Sequence, residues 1–100
     1  MADYSEIAVQ IEGRIPYVGL YRNFSYKGIM LEAVELAADY CDCKTIDQLC
    51  RRIYKKPLSE DDIYGVEANI EYEADDVYIV DLDHKVIYNY DEAVYNGGAR

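Results

Sequence analysis

Tryptophan is absent from the chain, and phenylalanine and histidine occur once each. With a single imidazole, His84, the usual routes to a base-activated nucleophile are nearly closed, because such a nucleophile needs a neighbouring base and a group to orient it. No apolar run approaches the length of a membrane span. Phosphate-cradling glycine loops are missing too, since Gly97-Gly98 falls at the end of the chain. The most telling absence is local. From Pro57 to Asp83 there is no lysine or arginine, while the acids are Glu60, Asp61, Asp62, Glu67, Glu71, Glu73, Asp75, Asp76, Asp81 and Asp83. The formal net charge is −10, so this block carries all of it and the rest of the chain balances to zero.

What is present is a globular composition. Apolar residues make up 51% of 100 residues, too many for a disordered chain and enough for one modest core. A single α+β domain is expected over residues 1–95, with a flexible tail at 96–100. Twelve tyrosines supply large rings with polar tips, suited to half-buried positions and contact surfaces. The acidity argues against direct binding of nucleic acid or of an anionic membrane, and favours a basic partner. Met1–Gly13 has no charged segment before an apolar block, and three cysteines is an odd number, so a cytoplasmic protein with reduced thiols is expected.

The elements follow from periodicity. Ile7, Val9 and Ile11 alternate with polar residues from Tyr4 to Glu12 and predict a strand, with a short helix capped by Ser5 as the lesser alternative. A second strand over Ile15–Tyr21 pairs with it as a hairpin, Pro16 marking an edge or a strand start. Helical spacing predicts a helix from Lys27 to Tyr40. A Thr45/Gln48 capping box opens a second helix that ends at Pro57. Ser59 caps a short third turn, Glu60–Tyr64, closed by Gly65. The remainder reads as a three-stranded meander. In it Tyr72 faces Val77, Ile70 faces Ile79 and Ile79 faces Tyr88. One face, Val66, Ala68, Ile70, Tyr72, Val77, Ile79, Val86, Tyr88 and Tyr90, is assigned to the core. The other, with Glu67, Glu71, Glu73, Tyr78, Val80, Leu82, Ile87 and Asn89, is assigned outward. Asp91–Tyr95 would make a last turn. The whole is an antiparallel sheet, N-terminal hairpin plus C-terminal meander, with two to three helices on one face.

Several constellations were weighed against plain structural roles. Cys41, Cys43, Cys50 and His84 could be counted as zinc ligands, but C-x-C is poor geometry for one metal and Cys50 falls in an apolar stripe, so no metal or cofactor is expected. Asp81-Leu82-Asp83 has the form of a magnesium-binding pair without the larger scaffold such sites need. Arg51, Arg52, Lys55 and Lys56 sit where a helix dipole favours cations. A non-enzyme is therefore expected. The acidic block is the residue set that points to function. Alternate strand residues lie about 6.6 Å apart on one side, so Glu71, Glu73, Asp75 and Asp76 would form a row of charge, joined by Glu60, Asp61, Asp62 and Glu67 and flanked by Tyr64 and Tyr78.

In size, acidity, tyrosine content and lack of catalytic residues, the chain resembles the small phage-encoded anti-CRISPR and anti-restriction inhibitors. The resemblance is one of composition and transfers no individual residue. It implies stoichiometric binding to a basic protein or nucleoprotein complex that handles nucleic acid in a bacterial host, with carboxylates taking the place of phosphates. The alternative is a structural or adaptor protein that forms a homodimer by burying the apolar part of its outer sheet face, Val80, Leu82 and Ile87.

Overall fold

The computed structural model describes residues 4–22, 25–65, 68, 70 and 76–90. Strand β1 (Tyr4–Ile11) is the centre of the sheet. Its odd positions, Ile7, Val9 and Ile11, point to one face and Glu6 and Ala8 to the other, and all five are buried. β1 turns into β2 (Arg14–Arg22) through Glu12 and Gly13, whose φ angles are 53° and 72°. Two successive positive φ values define the hairpin turn whose twist matches that of its strands. The register slips between Val9 and Ile11, opposite the stretch holding Pro16. Proline has no ladder N–H to give, so a bulge on a strand at the margin of the sheet is where it fits.

Helix α1 (Tyr26–Tyr40) starts at Ser25, whose Oγ accepts from the Gly28 amide at 3.1 Å. Helix α2 (Ile46–Tyr54) starts at Thr45, whose Oγ1 accepts from the Gln48 amide, and Gln48 Oε1 accepts in turn from the Lys44 amide. It ends before Pro57, with Lys55 in the left-handed conformation as its cap. Helix α3 (Glu60–Gly65) follows a reciprocal Ser59–Asp62 cap. The chain then returns to the sheet as β3 (Asp76–Asp81) and β4 (Val86–Asn89), giving strand order β2-β1-β3-β4. The α+β class, the N-terminal hairpin and the pairing of Ile79 with Tyr88 are as expected.

Three features of the expected sheet are corrected. First, β1 and β3 pair in parallel, Ser5 with Asp76 through Gln10 with Asp81, so the sheet is mixed. β2 leaves the sheet at the Tyr4 end and β3 enters at that same end. The helices between them supply the long connection a parallel pair requires. Second, β3 has β1 and β4 as neighbours, so Ile70 does not lie opposite Ile79 in a ladder. Ala68 instead donates its amide to the Ile15 carbonyl of β2, and Ile70 packs on a sheet face. Val66, Glu67, Glu71, Tyr72, Glu73 and the Asp91–Tyr95 turn lie outside the described residues.

Third, the helices cover the face assigned outward. Tyr78, Val80 and Leu82 join Ile7, Val9, Ile11, Ile29, Ala33 and Leu49 in the main core. Val77 and Ile79 form a smaller cluster on the reverse face with Ala8, backed by Ile15, Val18, Ile70, Tyr88 and Tyr90. A central strand buries both faces, and alternation groups residues by face without saying which face a helix will choose.

Candidate functional site

The acids of α3 divide into two kinds. Asp62 is committed to the fold: its Oδ2 accepts from the Ser59 amide at 3.1 Å and from the Ser59 hydroxyl at 2.8 Å. These two bonds stabilise the carboxylate and hold its pKa below the ordinary value. Glu60 and Asp61 are exposed and have no hydrogen bond or ion pair among the described residues. They occupy the first turn, where the helix dipole favours negative charge.

The surroundings of α3 come from distant parts of the chain. Glu60 and Ile63 line a cleft of about 390 Å³ with Glu12, Thr45, Ile46, Asp47, Arg51 and Leu58. Glu12 reaches this cleft from the hairpin turn, and its Oε2 accepts from the Ile46 amide at the start of α2 at 3.2 Å. Asp47 holds Arg51 at 2.7 Å, so the one cation among the cleft's described residues has a partner within it. Glu12 and Asp47 thus join Glu60 around one concavity. Sequence reading missed both, because their proximity is set by the hairpin turn meeting the start of α2, and no local pattern signals that.

Of the strand acids expected to form a row of charge, only Asp76 lies among the described residues. Asp76 is exposed at the start of β3, opposite Ser5. Glu12 lies beyond the other end of β1, seven residues away and therefore roughly 23 Å along the strand. Asp76 and the α3 acids stand at opposite ends of the sheet. Glu67, Glu71, Glu73 and Asp75 lie outside the described residues, as does the side chain of Tyr64. Tyr78 is not on a contact surface: it is 7% exposed in the main core, with Tyr26 edge-on at 6.5 Å. Of the three residues named for self-association, Val80 and Leu82 are buried in the main core and Ile87 is half-buried against it.

Acids at the β3–β4 turn hold the fold together. Asp81, 7% exposed, accepts from the Asp83 and His84 amides through Oδ1, and its Oδ2 lies 2.8 Å from His84 Nδ1. Asp83 bridges to the hairpin turn, accepting from the Glu12 amide at 2.9 Å and the Gly13 amide at 3.2 Å. The D-x-D pair therefore spends three of its oxygens on backbone amides and the fourth on the His84 ring. His84 has an orienting carboxylate, and the recess beside it is lined, among the described residues, by Gln10, Asp81, Val86 and Tyr88.

The basic residues of α2 are similarly engaged. Arg52 bonds Asp42 Oδ1 at 2.5 Å and the Asp39 carbonyl, and lies 5.6 Å from the centre of the Tyr40 ring. This pins the end of α1 to α2. Cys43 and Cys50 are buried, which raises both thiols, while Cys41 is exposed. Among the described residues, no group of three or more His, Cys, Asp or Glu is placed to hold a metal ion. No described helix is long and apolar enough to cross a membrane.

Comparison with protein-family models, with curated proteins and with solved structures gives no match to this chain.

Proposed function

We propose that this protein is a non-enzymatic inhibitor that binds a basic, nucleic-acid-handling partner, its free carboxylates lying where the partner would hold phosphates. The observation that carries the reading is the pairing of a net charge of −10, all of it from the lysine-free block, with Glu60 and Asp61, exposed and without a partner among the described residues, Glu60 sharing its cleft with Glu12. A groove built for nucleic acid is lined by Lys and Arg, and carboxylates at similar spacing offer those cations the same sign of charge that phosphates do. Such an encounter is steered by the field of the whole molecule and weakens with salt. The setting this reading implies is the cytoplasm of a bacterial host, with a phage origin for the chain.

Among the described acids, those of α3 and its cleft stand apart from Asp76, and we take the α3 end as the primary contact. The experiment is a binding comparison using the immobilised chain and host nucleic-acid-binding proteins, with duplex DNA as competitor. The expected result is retention that falls with salt, is displaced by DNA, and is lost in the Glu60→Lys, Asp61→Lys variant. Retention indifferent to both DNA and charge reversal would overturn the proposal.

A further inference from the structure

The two larger helices do not cover the whole sheet. α1 packs over β1 and β3, and α2 packs against β2. β4 stays at the margin of the helical layer, where Ile87, paired with Val80 on the helix-facing side, is only half-buried. Between α1 and β4 runs an open groove of about 420 Å³, lined chiefly by Val34, Ala38, Cys41, Leu82, Val86 and Ile87. On its α1 wall the apolar surface continues outward. Leu31 is 64% exposed and Val34 53% exposed, and with Ala38 they stand three and four residues apart, on one stripe of the helix.

We propose that this groove seats an amphipathic helix of the partner, apolar on one side and lysine- or arginine-rich along its flank. The stripe's spacing suits a helix laid beside α1, which would complete the layer over β4. The flank's charge follows from the rim: Glu35 and Asp39, both exposed, follow the stripe residues along α1. Lys85 closes the end of the groove beside Cys41 and suits the carbonyl-rich C-terminus of the same helix. A second copy of the chain is the poorer occupant, because each copy carries a net charge of −10 and the two would repel. The inference rests on the function proposed above only for the partner's positive charge; the groove is a separate surface from the α3 end.

The test uses designed peptides of about eighteen residues, five helical turns. One is an amphipathic Leu/Lys helix, one its Leu/Glu twin, and one a scramble of the first with the same composition. Binding is followed by fluorescence anisotropy to the full chain, to Leu31→Asp/Val34→Asp, and to Glu60→Lys/Asp61→Lys. Both pairs of sites are exposed, so circular dichroism should show native folding throughout. The Leu/Lys helix should bind the wild type, and the Leu31→Asp/Val34→Asp change should weaken it about tenfold or more although it makes the protein more negative. The scramble and the Leu/Glu twin should bind at least tenfold more weakly, and the Glu60→Lys/Asp61→Lys variant should keep most of its peptide affinity. Equal or tighter binding by the aspartate variant would show that charge alone attracts the peptide and would overturn the proposal. So would a wild-type dimer that the aspartate variant dissociates, or binding that appears only when residues 91–100 are removed. Failure of the wild type to bind the Leu/Lys helix, with DNA-competed partner binding retained, would sink the groove and leave the α3 reading intact. The reverse would do the opposite.

Discussion

The carboxylates at the two tight turns and those of α3 begin from the same chemistry and end in different roles. At the turns, Asp81 and Asp83 accept hydrogen bonds from four backbone amides, and Glu12 accepts one more from the start of α2. In α3, Asp62 closes its own cap, while Glu60 and Asp61 face water with no partner among the described residues. Net charge alone therefore overstates what the molecule can show to a partner. An acid whose oxygens satisfy buried or turn amides is part of the scaffold. An acid in the first turn of an exposed helix is available for contact.

This contrast can be broken by removing acids one at a time and following urea denaturation. The largest effect is expected at Asp81. It is buried and serves two amides and an imidazole, so Asp81→Ala should cost about 3 kcal/mol. Asp83→Ala removes the bridge between the two turns from a more exposed site and should cost about 1.5 kcal/mol. Thr45→Ala, which strips the cap from the helix that Glu12 also serves, should cost about 1 kcal/mol. At the low end, Glu60→Gln with Asp61→Asn should leave stability within about 0.5 kcal/mol of the wild type. A loss at Glu60 and Asp61 comparable to that at Asp81 would erase the distinction between scaffold and contact acids.

Acid titration sharpens the same comparison within α3. The pKa of Asp62 is lowered in the folded chain by the two bonds from Ser59, so its stabilising contribution is complete above the ordinary carboxylate value and is lost as pH falls through the lowered one. The amide signals of Ser59 and Asp62 should shift together by NMR in that acid range, and Asp62→Asn should abolish the step. A shift at neutral pH, or none in wild type, would contradict the assigned cap.

The elements and their caps were legible in the sequence wherever they depend on neighbours. Ser59 as a cap, Thr45 with Gln48, and the alternation of Ile7, Val9 and Ile11 are local signals, and each element stands where they place it. The sheet's order was not legible, because a parallel β1–β3 pair is decided by where three helices deliver the chain, and no residue of Asp76–Asp81 records that. Burial on both faces hid the side that the helices cover: Tyr78 and Ile79 are equally plausible core residues, and both are in a core. For the site, α3's exposed acids were readable from Glu60 and Asp61 in a capped first turn. The arrival of Glu12 from the hairpin was not, since it depends on a turn conformation and a contact 34 residues distant in sequence.

The most direct test of the central claim is a single equilibrium titration, in which the captured partner's affinity for this chain is measured with and without saturating duplex DNA, in wild type and in Glu60→Lys/Asp61→Lys. Mutually exclusive binding of chain and DNA, with at least about a tenfold loss on reversing the two α3 charges, is the expected result. Simultaneous binding of both, with affinity unmoved by the reversal, would show that the free carboxylates of α3 do not stand in for phosphate.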